Sequence, residues 1–429
     1  MPDIQPPASA SAISAEVRAR ADPIVDWLLR EERLSAARTV VLLERFAARL
    51  LDASVPLVRV SLHIQQLHPQ IAARSLVWDA ETRRASEADH EHSARNEAGY
   101  LRSPVKPIFE GGPEIRRRLE DPECPRDFPI LGDLDARGST DYAIYPLPFS
   151  NGRRNALSVA TTRPGGFHES DLALIEAVLP AFAAVLELQQ LRRTGRELLS
   201  TYVGRGTGER IFGGTIRRGD GEVMHAVVWY CDLRGFTETS ERLPLDRVIA
   251  LLNDYFDCVA APVDARGGEI LKFIGDGILA IFPCRSENSA LCGAADTALE
   301  AAEAALAAIA ALNQRREAES DPPLQCGIAI HVGEVMYGNI GAADRLDFTV
   351  IGPTVNLVSR MESLCAELDH PIVVSAPISR AAGRRFRPLG RFALRGIAEP
   401  QEVFAPEPPD ERSNEKAEAV GTVPETHPV

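Results

Sequence analysis

No C-x-x-C pair occurs in the sequence, although it holds seven cysteines: Cys124, Cys231, Cys258, Cys284, Cys292, Cys326 and Cys365. An odd, scattered set of this kind excludes a disulfide framework and a zinc ribbon and suits a reducing, cytoplasmic setting. Excess basic charge is missing too: 47 Lys and Arg against 61 Asp and Glu give a net −14, which argues against a nucleic-acid partner. The N-terminus lacks a basic-then-apolar leader. The longest apolar stretch, 172–188, holds Glu176, Pro180 and Glu187. Carboxylates inside a bilayer are costly, so no membrane span is expected. What is present is ordinary globular usage, 45 % hydrophobic and 25 % charged over 429 residues, enough for two or three domains.

Residues 1–13 are mostly Pro, Ala and Ser, and the tail 406–429 is rich in Pro and Glu; both are expected to be disordered. The stretch 14–51 reads as helix, with Leu34, Ala37, Val41, Ala48 and Leu51 at helical steps and Pro56 beyond its end. Strands are expected over 58–64 and 71–78, a charged loop over 80–98, a helix over 113–119 and then a long proline-containing loop. Apolar runs at 142–149 and 157–162 flank Asn151-Gly152, a hairpin signal in which both turn residues take positive φ. Ser170 is placed to cap a helix over 171–199. On that helix Leu172, Ile175, Leu179, Phe182 and Leu186 step 3-4-3-4, which fits either a coiled-coil seam between two copies or packing within one domain. Seven glycines between 203 and 221 favour a flexible linker over a phosphate loop, since no Lys-Ser/Thr follows. The expected organisation is therefore a regulatory domain over 14–195, a linker over 196–221 and a second domain over 222–405.

In the second domain, 223–231 is apolar on both faces except for His225, as in a central strand. A helix over 245–261, strands at 269–274 and 278–282, and an Ala-rich helix over 289–318 follow. Strands at 324–332, 334–340 and 346–351 precede a helix from Pro353 to about 368, with strands at 372–375, 386–394 and 402–405. Three segments stand out chemically. In Cys231-Asp232-Leu233-Arg234-Gly235-Phe236-Thr237 a carboxylate ends a buried strand ahead of a glycine turn and free backbone N–H groups, which suit phosphate. In Lys272-Phe273-Ile274-Gly275-Asp276-Gly277 a hairpin tip presents a second carboxylate. Two aspartates on adjacent strands can hold Mg²⁺ together with water and phosphate oxygens. The third segment runs from Thr349 to Arg360 and sets Asn356 and Arg360 at i, i+4 on one helical face.

In this order the three segments resemble the catalytic domain of class III nucleotidyl cyclases, across 222–405. The resemblance implies a ferredoxin-like or palm-type α+β fold. It also implies that Asp232 and Asp276, with the neighbouring Leu233, hold two Mg²⁺ (or Mn²⁺) ions per active site. Lys272 and Thr349 match the base-selecting positions, Asn356 the ribose-orienting residue and Arg360 the group that stabilises the transition state; Arg345 falls near a phosphate-contacting arginine. The backbone N–H groups near Phe236 and Thr237 face the triphosphate. Adenine offers an N6 donor and an N1 acceptor, which suit the Thr349 hydroxyl and the Lys272 ammonium, so ATP is expected over GTP. In the resembled family the site lies between two catalytic domains, so a homodimer with two interfacial sites is implied. Residues 14–195 resemble a GAF sensory domain in element order alone, with another α+β domain as the alternative. A GAF-like sensor would take an unknown small ligand or signal and act on the catalytic domain through the linking helix. A guanylate cyclase and a non-catalytic nucleotide-binding module are the rival readings. A diguanylate-forming relative needs a Gly-Gly-(Asp/Glu)-Glu-Phe turn, and this hairpin reads Ile274-Gly275-Asp276-Gly277-Ile278.

Overall fold

The computed structural model describes residues 14–407 except 36, 285–288 and 320; the side chains of 95, 96 and 289–292 are not described. The segments expected to be disordered, 1–13 and all but the first two residues of 406–429, lie outside the described residues, as does the side chain of Cys292. The chain divides into two compact units between Leu198 and Leu199.

The first unit begins with α1 (Ala15–Arg30) and α2 (Thr39–Asp52), followed by β1 (Arg59–Gln65), β2 (Ile71–Asp79) and β3 (Arg84–Glu91). Short helices α3 (Ala98–Leu101) and α4 (Val105–Phe109) lead to β4 (Ile115–Arg118), α5 (Pro129–Ala136), β5 (Asp141–Pro148), β6 (Arg154–Thr161) and the long α6 (Glu169–Val203). The strands form one antiparallel sheet in the order β3-β2-β1-β6-β5-β4. Val60, Leu62 and Ile64 of β1 pack with α1, α2 and α6 in one core; Tyr142, Ile144, Ala156 and Ala160 pack with α4 and α5 in another.

Several expectations for this unit are corrected. The single helix over 14–51 is two helices broken at 31–38, and the buried stripe of α2 is Leu42, Leu43, Phe46, Ala47 and Leu50. Leu34 stands 70 % exposed, because the break removes it from the helical register. The charged segment expected as a loop contains β3, an edge strand whose polar side chains face solvent except for the half-buried Glu87 and whose backbone pairs with β2. The expected helix at 113–119 is the edge strand β4, bonded to β5. The turn around Asn151-Gly152 is longer than two residues, and of the pair only Gly152 has positive φ (82°). Asn151 instead accepts the Arg153 N–H on its own side chain at 3.0 Å. Ser170 lies inside α6; the carboxylate of Asp171 takes the His168 N–H at 3.1 Å in its place. The 3-4-3-4 seam is resolved in favour of packing within the unit: Leu172, Ile175, Leu179, Phe182 and Leu186 are all buried in the core, where Phe182 stacks on Phe46 at 4.1 Å. It is not available as a coiled-coil surface.

The second unit contains α7 (Arg205–Phe212), β7 (Gly221–Leu233), α8 (Phe236–Arg242), α9 (Leu245–Ala265), β8 (Glu269–Ile274), β9 (Gly277–Pro283) and α10 (Ser289–Ala318). It continues with β10 (Cys326–Gly341), β11 (Leu346–Ile351), α11 (Pro353–Glu362), α12 (Leu364–Glu367), β12 (Ile372–Ser375), α13 (Ala376–Ala381), β13 (Phe386–Phe392) and β14 (Gln401–Pro406). The sheet order is β13-β14-β12-β10-β7-β9-β8, with β11 paired to β10. The run β7-α9-β8-β9-α10-β10 is the βαββαβ arrangement of a ferredoxin-like fold, and its strands lie in the order β10-β7-β9-β8. β7 is covered on both faces: Val227, Trp229 and Cys231 point to α9 and α10, and Ala226 and Val228 to the side of α11. Ala295, Ala298, Ala301, Ala302 and Ala305 of α10 are buried there, small enough for close approach.

Two strands expected at 324–332 and 334–340 are one continuous β10, because pairing with the full length of β7 carries it through Gly333. The helix expected from Pro353 to about 368 stops at Glu362 and resumes briefly as α12. The glycine-rich stretch is not a slack linker. Its helix α7 is fastened to β8 and β10: the Thr207 N–H and hydroxyl reach Glu269 Oε1 at 2.7 and 3.1 Å. The Tyr337 hydroxyl donates to the same oxygen at 2.9 Å. A Cβ at Gly206 would lie 2.5 Å from that carboxylate, which is why a glycine is needed at this contact.

Candidate functional site

Asp232 lies at the end of β7, opposite Gly327 of β10, and Asp276 sits in the turn between the paired strands β8 and β9. Gly235 and Gly275 have φ of 70° and 64°, left-handed values that glycine adopts without a Cβ penalty. These turns bring the Asp276 carboxyl close enough to disfavour the charged form of Asp232. Burial, the Asp276 carboxyl and the more distant Glu362 together push Asp232 up to about 7. Asp232 also accepts the Leu233 N–H at 3.2 Å, which works in the opposite direction.

Glu362 was not singled out in the sequence. It ends α11 four residues after buried Val358, on the inward side, and its carboxylate lies over Gly327, where a Cβ would be 2.4 Å away. Burial raises it to about 7, Arg234 opposes the shift and Asp276 adds to it. A charged residue continuing the buried stripe of a helix was the signal available. Tyr230 belongs to the same surroundings; its hydroxyl would be 2.6 Å from a Cβ at Gly277, and burial and the carboxylates push it up to about 12. Arg234 is tied to the Cys365 and His370 carbonyls at 2.7 and 3.0 Å, so it braces the turn.

Two neighbouring carboxyls, one of them held well above the usual carboxylate range by burial and by the other, are a site that lacks positive charge. Hard oxygen donors in a pair fit Mg²⁺, which keeps waters and takes phosphate oxygens for the rest of its shell. Among the described residues no three or more His, Cys, Asp or Glu side chains form a closed metal cage. Protons and a cation compete for Asp232, so Mg²⁺ affinity should fall as pH drops below about 7. Linkage fixes the sign for this group in the metal-free protein: a carboxyl raised in the folded state binds more protons folded than unfolded, so its contribution to stability declines as pH rises from about 4 through about 7. Buried His331, held well below the usual imidazole range, acts the other way, so the check is a difference: between pH 5.5 and 8 the wild-type melting midpoint should fall relative to that of Asp232→Asn, with Mg²⁺ recovering the difference at pH 8. Parallel midpoints in the two proteins would count against the arrangement.

The base-selecting candidates lie on β8 and β11, which are joined by one ion pair. Thr349 of β11 is 4 % exposed and its Oγ1 is buried without a hydrogen-bond partner. Lys272 of β8 reaches β11 through Asp347, with Nζ to Oδ2 at 2.5 Å. Asn356 and Arg360 are exposed on α11, and among the described residues their side chains have no partner. Arg345 is exposed in the loop before β11, and Phe236 and Thr237 open α8. One juxtaposition is not made within the protomer. Arg360 and Glu362 are two residues apart, roughly 200° around a helix. The face of α11 that reaches the aspartates is therefore opposite the face carrying Asn356 and Arg360.

Residues 222–404, within the second unit, match the family of the adenylate and guanylate cyclase catalytic domain. An adenylate cyclase of Anabaena cylindrica is 34 % identical over 169 residues, 38 % of this chain and 32 % of that protein. The crystal structure of the adenylyl cyclase CyaB from P. aeruginosa is 29 % identical, with 45 % of this chain and 98 % of that one covered, at a TM-score of 0.41. The guanylyl cyclase Cya2 is 32 % identical, with 45 % and 97 % covered, at a TM-score of 0.39. The chain spans about a third to two fifths of the length of the curated relatives it matches. Among the described residues no helix is long and apolar enough to cross a membrane.

Proposed function

We propose that this chain is an adenylate cyclase that converts ATP to 3′,5′-cyclic AMP and pyrophosphate. The carrying observation is the close Asp232–Asp276 pair on a cyclase-type sheet whose neighbouring strands present Lys272 and the unpaired Thr349 hydroxyl. Two divalent ions, Mg²⁺ or Mn²⁺, held by Asp232, Asp276 and the backbone at Leu233, would supply acidification of the ribose 3′-hydroxyl and charge neutralisation of the triphosphate. The 3′-oxygen bonds to the α-phosphorus as the bond to pyrophosphate breaks. Asn356 holds the ribose so that attack is in line, the larger part of an intramolecular reaction's requirement. Arg360 meets the negative charge gathering on the α-phosphoryl oxygens, and the N–H groups opening α8 at Phe236 and Thr237 meet the distal phosphates. Arg345, exposed in its loop, would be a further phosphate contact.

The opposed faces of α11 support a homodimer with two sites, in which Arg360 serves the aspartates of a second copy. An exposed apolar row supports this pairing: Val223, Met336 and Ile351 lie in register across β7, β10 and β11, at 58, 40 and 47 % exposure. A guanylate cyclase is the second reading: an Asp347 carboxylate released from Lys272 would accept from the donors of guanine. Cyclic AMP and cyclic GMP formation from ATP and GTP, measured side by side, decides between them; cyclic AMP at several times the rate of cyclic GMP is expected. Absence of both products would defeat the reading.

We also read the first unit as a GAF-like regulatory domain. A cavity of about 300 Å³ between its sheet and the segments around α4 and α5, lined by Arg59, His63, Arg102, Tyr142 and Ser158, is where a small ligand would enter. Substrate and free thiols suit the cytoplasm.

A further inference from the structure

The Lys272–Asp347 contact joins two strands that are not neighbours in the main sheet order: β8 lies at one edge, and β11 pairs only with β10. A lysine ammonium on a four-carbon stem has no preferred direction of its own and spends rotamer entropy to be held. Asp347 supplies the direction. It is two residues before Thr349 on the same strand, so the two side chains leave β11 on the same side. One of them fixes the ammonium and the other is an unpaired buried hydroxyl.

We propose that Asp347 is a positioning residue that sets base specificity by holding Lys272 beside Thr349. The proposal rests on the cyclase reading above. Held in this way, the ammonium keeps N–H bonds free for the N1 acceptor of adenine, while Thr349 takes the N6 donor. The same pair explains why a carboxylate in the base site does not select guanine: its charge is occupied by Lys272. Uncovered, Asp347 would accept from the N1–H and N2–H₂ donors of guanine. As an exposed ion pair the contact contributes little to stability, since its side chains are 30 % and 60 % exposed. Its effect belongs to substrate choice.

The test uses the full chain. For Asp347→Ala the expected result is a five- to tenfold loss of kcat/KM for ATP (about 1 kcal/mol or slightly more), carried mainly by KM, and a narrower ATP-to-GTP ratio. For Lys272→Ala the ratio should shift further toward GTP, because the carboxylate is uncovered. Adding Asp347→Ala to Lys272→Ala should then cost nothing more on ATP but should remove the gain on GTP. Displacement of a fluorescent ATP analogue by ATP and GTP, with Ca²⁺ in place of the active metal, should give the same order without turnover. Additive losses on ATP in the double variant, or an unchanged ATP-to-GTP ratio in Asp347→Ala, would overturn the proposal. A wild-type protein that cyclises neither nucleotide would instead sink the cyclase reading itself.

Discussion

Asp276→Ala and Arg360→Ala are each expected to lose turnover by about 100- to 1,000-fold, the usual effect of removing one preorganised group from charge developing in a transition state. Mixed in equal amounts with free subunit exchange, the two inactive proteins should recover about a quarter of wild-type activity. Half of the dimers are then heterodimers, and in each of these one of the two sites has both residues intact. The geometry behind this expectation is the roughly 200° between Arg360 and Glu362 on one helix, with Glu362 beside the aspartates. On the proposed arrangement, α11 turns its Glu362 face to its own protomer's aspartates and its Arg360 face to a second copy's nucleotide. Steady-state cyclic AMP production from the separate and the mixed proteins provides the measurement. Arg360→Ala retaining activity, or a mixture no better than its parts, would mean that the site is not shared.

Gly338→Ala is expected to destabilise the second unit by about 3 kcal/mol or more, at the upper end of overpacking effects. A Cβ at this position would lie 2.3 Å from the Asp220 carbonyl oxygen and 2.5 Å from the Gly221 Cα. Both are backbone atoms, so no rotamer change relieves the clash, and β7 must part from β10. Gly338 is also the register partner of Thr349 across the β10–β11 pair. The melting midpoint of the second unit should therefore fall sharply, and the remaining folded protein should discriminate less well between ATP and GTP. A variant with wild-type thermal stability would show that the strands tolerate the shift.

The catalytic half of this chain was legible because its chemistry depends on short-range order. The Asp232 and Asp276 segments are strand–turn units whose glycines dictate the backbone, and local sequence is sufficient to place their carboxylates at strand ends. The pairing of Asn356 with Arg360 follows from helical spacing alone. Glu362 and Asp347 were missed because their roles depend on tertiary approach: one closes over Gly327 and the other meets a lysine 75 residues away in sequence. The first unit was less legible for a related reason. Its edge strands β3 and β4 are polar or short, and their identity comes from the neighbouring strand that takes up their backbone hydrogen bonds. The seam on α6 shows the limit of periodicity: a 3-4 spacing reveals that one side of a helix is apolar but not which surface covers it. Here the cover is the unit's own core, including Phe46.

Glycine-rich sequence is usually read as slack, yet α6 ends at Val203 and α7 begins at Arg205, leaving Gly204 as the single residue between two helices. Gly206 of α7 admits the Glu269 carboxylate to the helix backbone, and Glu269 is three residues before Lys272 on the same strand. A pull on α7 would therefore not be absorbed as play in a tether. It would be delivered, through one carboxylate, to the root of the strand that carries Lys272 and runs into the turn of Asp276.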